Sequence, residues 1–172
     1  AENGLVDAQV VLPGSHDTAS AVMAVPASGK GLDWCYISLG TWALMGVEVP
    51  EPVINQRSLE LNFTNEGGVG GTIRLLKNIT GLWLVQECRR VWNQGGKSWD
   101  WEDLNALSER SPSLAAFVNP DASEFLAPTD MPAAIRAFVQ RTGGRVPTSE
   151  GEILRCALDS IAMKFRHVLG MC

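Results

Sequence analysis

Residues 14–22 read GSHDTASAV and place His16 and Asp17 side by side, two residues after the break at Pro13 and Gly14. The small residues that follow predict a helix that begins near Asp17 and extends to about residue 25. A carboxylate at a helix N-terminus is held in its charged form by the helix dipole, and such a group serves as a general base. Aspartate is also a common helix cap. The residues alone leave both interpretations of Asp17 open.

A hydrolase triad built from Ser15, His16 and Asp17 is excluded by geometry. Side chains of neighbours in sequence rarely point at one another, and catalytic triads assemble from distant segments of the chain. His16 by itself is also compatible with an ordinary surface histidine. The chemistry of this stretch therefore depends on what the rest of the chain brings to it.

Three further stretches contain residues that could contact an anion or a polar substrate. Gly40 and Thr41 follow an apolar segment, and they suit either a tight turn or a loop whose N–H groups and hydroxyl meet a phosphate. The stretch NEGGVGG, residues 65–71, matches neither the Walker spacing nor the dinucleotide fingerprint, and a hairpin turn is the better interpretation. Asn78 and Gln86 bracket the start of a predicted helix, and Asn78 alone would be taken for its cap.

Composition excludes several classes of protein. The chain has 172 residues, enough for one domain with a core, and 45% of them are hydrophobic. A net charge of −5 without a run of lysine or arginine argues against nucleic-acid partners and anionic membranes. No apolar stretch approaches the ~20 residues that span a bilayer. The four cysteines show no CxxC spacing, which favours reduced thiols in a cytoplasmic protein over a disulfide framework or a zinc site.

Hydrophobic periodicity predicts strands in the first half of the chain and helices in the second. The predicted strands cover residues 9–12, 34–39, 42–49 and 59–64, and residues 72–76 form the hairpin partner of the last. The predicted helices cover residues 81–92, 101–109, 131–141 and 149–172, the last opened by a capping box of Ser149 and Glu152. This order favours an α/β or α+β layer domain. Because the last helix runs to the end of the sequence, we expect the chain to be a piece of a larger protein.

Four stretches, taken together, resemble one family. GSHDTASAV, YISLGTWALMGVE, NFTNEGGVGGTIRLLKNITGLWLVQECRRVW and EILRCALDSIAMKFRHVL follow one another as they do in the rhamnulokinases. These enzymes form a branch of the FGGY family of sugar kinases, within the actin–hexokinase–Hsp70 superfamily. The resemblance covers nearly the whole chain, from about Val10 to Leu169, and implies an actin/RNase H-like ATPase fold with a mixed sheet and packed helices.

The resemblance also implies a role for six residues. Asp17 matches the general base that takes the proton from the sugar hydroxyl, and His16, Thr18 and Asn78 match residues that contact the sugar. Thr41 matches the threonine at the nucleotide phosphates, and Gln86 matches a further nucleotide contact. The implied reaction transfers the γ-phosphate of ATP to L-rhamnulose and gives L-rhamnulose 1-phosphate. Its implied partners are ATP, Mg²⁺ and the sugar.

Some parts of the family's machinery are not found in these residues. The first phosphate loop, which helps to place Mg²⁺, belongs to an N-terminal FGGY domain, and an adenosine loop follows the last helix. Residues 1–172 match only part of the C-terminal domain, so we expect the isolated chain to be inactive and to expose apolar surface or to self-associate. Two alternatives stay open: another FGGY kinase acting on fuculose, xylulose or a polyol, and a non-catalytic actin-like module for binding or assembly.

Overall fold

The computed structural model describes residues 9, 11, 14, 16–28 and 33–172. The predicted strand over residues 9–12 therefore lies largely outside the described residues. The described elements, in chain order, are α1 (Asp17–Met23), β1 (Tyr36–Leu39), β2 (Trp42–Val49), α2 (Gln56–Glu60), β3 (Thr64–Gly67), β4 (Ile73–Thr80), α3 (Trp83–Gln94), α4 (Trp101–Glu109), α5 (Met131–Arg141) and α6 (Glu150–Leu169). Short 3₁₀ turns lie at Val69–Gly71 and Ser123–Phe125. No described helix is long and apolar enough to cross a membrane.

The described strands form one antiparallel sheet in the order β1-β2-β4-β3. The register pairs Leu44 of β2 with Asn78 of β4, and Arg74 of β4 with Glu66 of β3. Strands β3 and β4 form a hairpin as predicted, but its first strand is Thr64–Gly67, mostly within the predicted turn, and not residues 59–64. The resemblance implies a mixed sheet, whereas every pairing among the described strands is antiparallel.

The two faces of this sheet have different neighbours. On one face, Val22 of α1 packs with Tyr36 and Leu76. On the other face, Val168 of α6 packs with Met45 and Ile79. Directly opposed residues of paired strands share a face, so Leu44 and Asn78 lie on the α1 side of the sheet together with Arg74 and Leu76. We call this side of the sheet the α1 face.

The predicted strand over residues 59–64 is wrong. Residues Gln56–Glu60 form helix α2, which is opened by a reciprocal capping box between Asn55 and Ser58. The chain then turns at Asn62, whose φ is 56°, and the strand begins only at Thr64. The alternation of Leu59, Leu61 and Phe63 imitates a half-buried strand, but local hydrogen bonds at the cap fix a helical turn instead.

The helices pack into a second core beside the sheet. Buried residues of α3, α4, α5 and α6 meet there, among them Leu84, Leu104, Ile135 and Ile153. The predicted bounds of these helices agree with the structure to within a few residues. Ser149 caps α6 as predicted, because its side chain accepts a hydrogen bond from the Glu152 N–H. The Glu152 carboxylate bonds Thr148 instead of completing the reciprocal box with Ser149.

Asp121 connects the sheet to α6. Its carboxylate accepts a hydrogen bond from the Thr80 N–H at 2.8 Å and lies 2.8 Å from Nζ of Lys164. Burial alone would raise the pKa of Asp121, but the bonds from Lys164 and Thr80 together outweigh it and hold the pKa below its usual value. The charged form of Asp121 therefore stabilises the end of β4, from which the chain enters α3.

Asp121→Asn should destabilise the fold at neutral pH, by about 1–2 kcal/mol, because Lys164 loses its partner. A carboxyl group whose pKa is lowered on folding stabilises the protein above its unfolded pKa of ~3.9, and this contribution is lost as the pH falls through the folded value. The difference between the wild type and the variant should therefore shrink below about pH 4. Urea unfolding at pH 7 and pH 3 measures both values, and a difference that does not depend on pH would contradict the assignment.

Glu124→Gln is the matched control for that measurement. The ion pair of Glu124 with Arg141 is 3.0 Å long, close to the 2.8 Å of the Asp121–Lys164 pair, but its two side chains are 36% and 57% exposed. Exposed pairs contribute little because water and salt screen them. We expect this variant to unfold at the wild-type urea concentration at pH 7.

Candidate functional site

The structure changes the interpretation of Asp17. His16, not Asp17, is the N-cap of α1, and its Nδ1 accepts a hydrogen bond from the Ala19 N–H at 3.4 Å. Asp17 is the first residue of the helix, and its side chain is 97% exposed. Among the described residues, its Oδ1 accepts hydrogen bonds from the adjacent Thr18 alone, at 2.6 Å from the backbone nitrogen and 3.4 Å from the hydroxyl oxygen. The structural-cap alternative for Asp17 is therefore wrong, and its carboxylate faces solvent at a helix N-terminus, where the dipole favours a negative charge.

His16 rests on a buried arginine. Nη2 of Arg74 lies 3.3 Å from Nδ1 of His16 and donates to the Glu66 carboxylate at 2.9 Å. Arg74 is 1% exposed and stands on the α1 face of β4. The guanidinium of Arg74, a residue of the sheet, therefore contacts the His16 ring on the side that faces the sheet. Arg74 and Glu66 were not among the residues predicted from sequence.

Thr41 and Gln86 are brought together although 45 positions separate them in sequence. The Thr41 hydroxyl donates to Oε1 of Gln86 at 3.0 Å, and Thr41 is exposed while Gln86 is half-buried. Gln86 lies on the first turn of α3, and Thr41 lies in the turn between β1 and β2. The free N–H groups of a half-buried amide beside an exposed hydroxyl can donate hydrogen bonds to an anionic ligand.

Gly81 holds this turn against the start of α3. Its N–H and that of Trp83 both donate to the Thr41 carbonyl, and the Leu82 N–H donates to the Gly40 carbonyl at 2.8 Å. A Cβ atom on Gly81 would lie 2.5 Å from the Gly40 carbonyl oxygen and 2.9 Å from the backbone nitrogen of Ala43. Only a residue without a side chain permits this close approach, so Gly81 sets the position of Thr41.

Asn78 lies between these two groups. It is exposed on the α1 face of β4, four positions after Arg74 and three before Gly81. Its side chain makes no hydrogen bond to the other predicted site residues among those described. Strand β4 therefore leads from the His16 end of the α1 face, past Asn78, to the Thr41 turn.

The buried cysteines are unsuited to nucleophilic chemistry. Burial raises the pKa of Cys156 to about 11 and raises the pKa of Cys88 further. A thiol reacts as its thiolate, and neither group ionises near neutral pH. All four cysteines are free in the structure.

The described residues do not form a metal centre of their own. They contain no group of three or more histidine, cysteine or carboxylate side chains arranged to hold an ion. Magnesium prefers several oxygen ligands in octahedral geometry, and Asp17 is a single exposed carboxylate. The described part of the chain therefore does not by itself fit a resident Mg²⁺.

Residues 35–171 match the model of the FGGY family of carbohydrate kinases, C-terminal domain. The chain therefore belongs to this family, and the domain has the actin/RNase H-like ATPase fold. The match includes Thr41, Asn78 and Gln86, and it begins after α1.

Curated relatives extend the similarity through α1. The chain is 45% identical over 166 residues to the protein named rhamnulokinase from Bacteroides thetaiotaomicron, which covers 96% of this chain and 33% of that protein. It is 40% identical over 159 residues to the rhamnulokinase from Enterococcus faecalis, covering 92% of this chain and 31% of that protein. It is 44% identical over 158 residues to the rhamnulokinase from Pectobacterium carotovorum, covering 90% of this chain and 30% of that protein. The chain spans about a third of the length of these relatives.

Proposed function

We propose that the chain is part of the C-terminal domain of a cytoplasmic sugar kinase that transfers the γ-phosphate of ATP to L-rhamnulose. The observation that carries this proposal is the arrangement along one sheet face, with the exposed carboxylate of Asp17 at one end and the bonded pair of exposed Thr41 and half-buried Gln86 at the other. Membership of a carbohydrate-kinase family and the names of three relatives support it. The parent protein supplies the N-terminal FGGY domain, the adenosine loop and the main Mg²⁺ contacts.

Asp17 acts as the general base in this proposal. Its carboxylate takes the proton of the sugar hydroxyl while that oxygen attacks the γ-phosphorus, and the bond from phosphorus to the bridging oxygen of ADP breaks. Phosphoryl transfer needs positioning and charge stabilisation more than covalent help from the protein, so a carboxylate at the hydroxyl supplies the one proton acceptor that the reaction needs. The exposure of Asp17 leaves its carboxylate free to meet a substrate.

The remaining residues position the two substrates. His16, Thr18 and Asn78 bind the sugar hydroxyls, and Thr41 and Gln86 bind the nucleotide. The bond between Thr41 and Gln86 supports their assignment to one ligand, because two side chains in contact present their free donors and acceptors to the same point.

The substrate is tested by ADP release from the full-length parent protein, measured with L-rhamnulose, L-fuculose, D-xylulose and a polyol such as glycerol. We expect the highest kcat/KM with L-rhamnulose. A higher kcat/KM with another sugar of the panel would change the proposed substrate but leave the proposed kinase activity in place. The absence of sugar-dependent ADP release with all of them would favour a non-catalytic actin-like module.

Thr41→Ala and Gln86→Ala should each raise the KM for ATP by about 3–10-fold, the value of one hydrogen bond, and leave the KM for sugar nearly unchanged. Because the two side chains form a hydrogen bond with each other, the KM for ATP of the double variant should rise by less than the product of the two single increases. Steady-state kinetics with each substrate varied in turn measures this. If only the KM for sugar increased, Thr41 and Gln86 would face the sugar, and the assignment of the two ends of the site to the two substrates would be reversed.

A further inference from the structure

We propose that Arg74 is a positioning residue that fixes the ring orientation and the tautomer of His16, so that the Nε2–H group of His16 is presented to the sugar. The inference rests on the proposed function, in which His16 binds sugar hydroxyls. It adds a residue that does not touch the substrate and acts through its neighbour.

Arg74 is rigidly held in the sheet. It stands on β4, directly opposite Glu66 of β3 and Glu48 of β2 in the register. Nη2 bonds the Glu66 carboxylate at 2.9 Å, and Nε donates to the Gly67 carbonyl at 3.3 Å. A planar guanidinium tied at two atoms has little freedom to turn. Its position is therefore set before any ligand binds.

The contacts of His16 define its tautomer. Nδ1 is approached by two groups, Nη2 of Arg74 at 3.3 Å and the Ala19 N–H at 3.4 Å. Neither group has a lone pair to offer, because guanidinium and backbone N–H groups only donate. Nδ1 must therefore carry the lone pair, and the proton of the neutral ring resides on Nε2.

Asp17 is the competing influence on this ring. Its Oδ1 lies 3.7 Å from Nδ1 of His16 and would favour a proton on that nitrogen. The Asp17 side chain is 97% exposed, so solvent screens its charge, whereas Arg74 is 1% exposed and is screened much less. Arg74 dominates at Nδ1, and Asp17 stays free to serve the sugar hydroxyl.

The polar groups beneath α1 are incompletely satisfied. Among the described residues, Nη1 of Arg74 and the Tyr36 hydroxyl are buried without a hydrogen-bond partner. Burial raises the pKa of Tyr36 despite the nearby Arg74 charge, which acts in the opposite direction. An apolar residue at position 74 would remove the unpaired Nη1 atom, but it would also leave the Glu66 carboxylate without its partner. The contact of Arg74 with His16, at 3.3 Å, is the one that this pairing with Glu66 does not require.

The first experiment measures the tautomer in the unmodified full-length parent protein. Two-dimensional ¹H–¹⁵N NMR of the histidine rings, with the His16 signals assigned by their loss in His16→Ala, should show a protonated Nε2 and an unprotonated Nδ1. A ring protonated mainly on Nδ1 would overturn the proposal. This measurement needs no activity, so it also stands if the parent protein proves not to be a sugar kinase.

The second experiment is a double-mutant cycle in the same protein. Arg74→Met should raise the KM for sugar about 3–10-fold with a smaller change in kcat, and should add nothing when His16 is already alanine. Arg74→Lys should keep the charge beside Glu66 and most of the stability, but an ammonium lacks the planar fork and should not restore the KM. Multiplicative effects of Arg74→Met and His16→Ala, or full rescue by lysine, would assign Arg74 a purely structural role.

Arg89→Met is the matched control for the cycle. Arg89 also anchors a backbone carbonyl, that of Trp99 at 2.9 Å, but it lies on α3, outside the His16 contacts. Its replacement should lower the melting temperature without changing the KM for sugar. If Arg74→Met fails to fold, Arg74→Lys and the tautomer measurement still decide the proposal.

Discussion

Asp17→Asn in the full-length parent protein should lower kcat for sugar phosphorylation about 10²–10⁴-fold, the usual contribution of a general base. A sugar hydroxyl is a poor nucleophile while it keeps its proton, and an amide oxygen cannot take that proton. The amide has the shape of the carboxylate, so the KM for sugar should change little. Steady-state kinetics with L-rhamnulose, or with whichever sugar the substrate panel selects, measures the loss.

Stability separates this chemical role from a structural one. Asp17 does not cap α1 and its side chain is almost fully exposed, so the melting temperature of Asp17→Asn should stay within about 2 °C of the wild type. His16→Ala should behave differently, raising the KM for sugar more than it lowers kcat, because the proposed function assigns His16 to binding the sugar and not to the proton transfer. A near-normal kcat for Asp17→Asn would remove Asp17 from the mechanism.

Gly81→Ala should destabilise the domain by about 1–3 kcal/mol, a drop of about 4–10 °C in melting temperature. The added methyl group would meet the backbone of Gly40, Trp42 and Ala43 at 2.5–2.9 Å, and backbone atoms cannot move aside as a flexible side chain can. The turn must shift, and Thr41 with it. The KM for ATP should therefore rise more than in Thr41→Ala, while the KM for sugar changes less.

Gly95→Ala is the control for that effect. A Cβ atom there would come no closer than 3.4 Å to its neighbours, which is ordinary contact, and the backbone φ of −78° suits alanine. We expect wild-type melting and wild-type KM for ATP. Equal losses in both glycine variants would show that the close approach at Gly81 is not what places Thr41.

Helices and strands could be predicted from the sequence where one hydrophobic periodicity dominates the segment. The 3.6-residue repeat of α6 and the turn residues around α5 gave the correct elements, because no local interaction competes with the burial of their apolar faces. Residues 59–64 were not predictable from their alternation, since the decisive interaction is the cap between Asn55 and Ser58, upstream of the pattern. The antiparallel order of the sheet also depends on pairings that no single segment encodes.

The roles of the candidate site residues follow from resemblance and stay predictions, and the local sequence indicates only some of their contacts. Thr41 and Gln86 lie 45 positions apart, and nothing in either local sequence indicates their contact. Arg74 was missed, although an arginine within the apolar stretch TIRLLK, between residues that face a core, is a usable signal of a buried charge with a partner. Either His16 or Asp17 could be the N-cap of α1 on sequence grounds, and only the backbone geometry shows that it is His16.

One distance in a crystal structure of the full-length parent protein with L-rhamnulose and ADP tests directly whether Asp17 is the general base. The proposed function places a carboxylate oxygen of Asp17 at about 2.6–3.2 Å from the hydroxyl oxygen on C1 of the sugar, the oxygen that receives the phosphate. The adjacent His16 would contact a different hydroxyl, and Thr41 and Gln86 would face the nucleotide. A sugar bound with its C1 hydroxyl beside another carboxylate, with Asp17 still in solvent, would contradict the account.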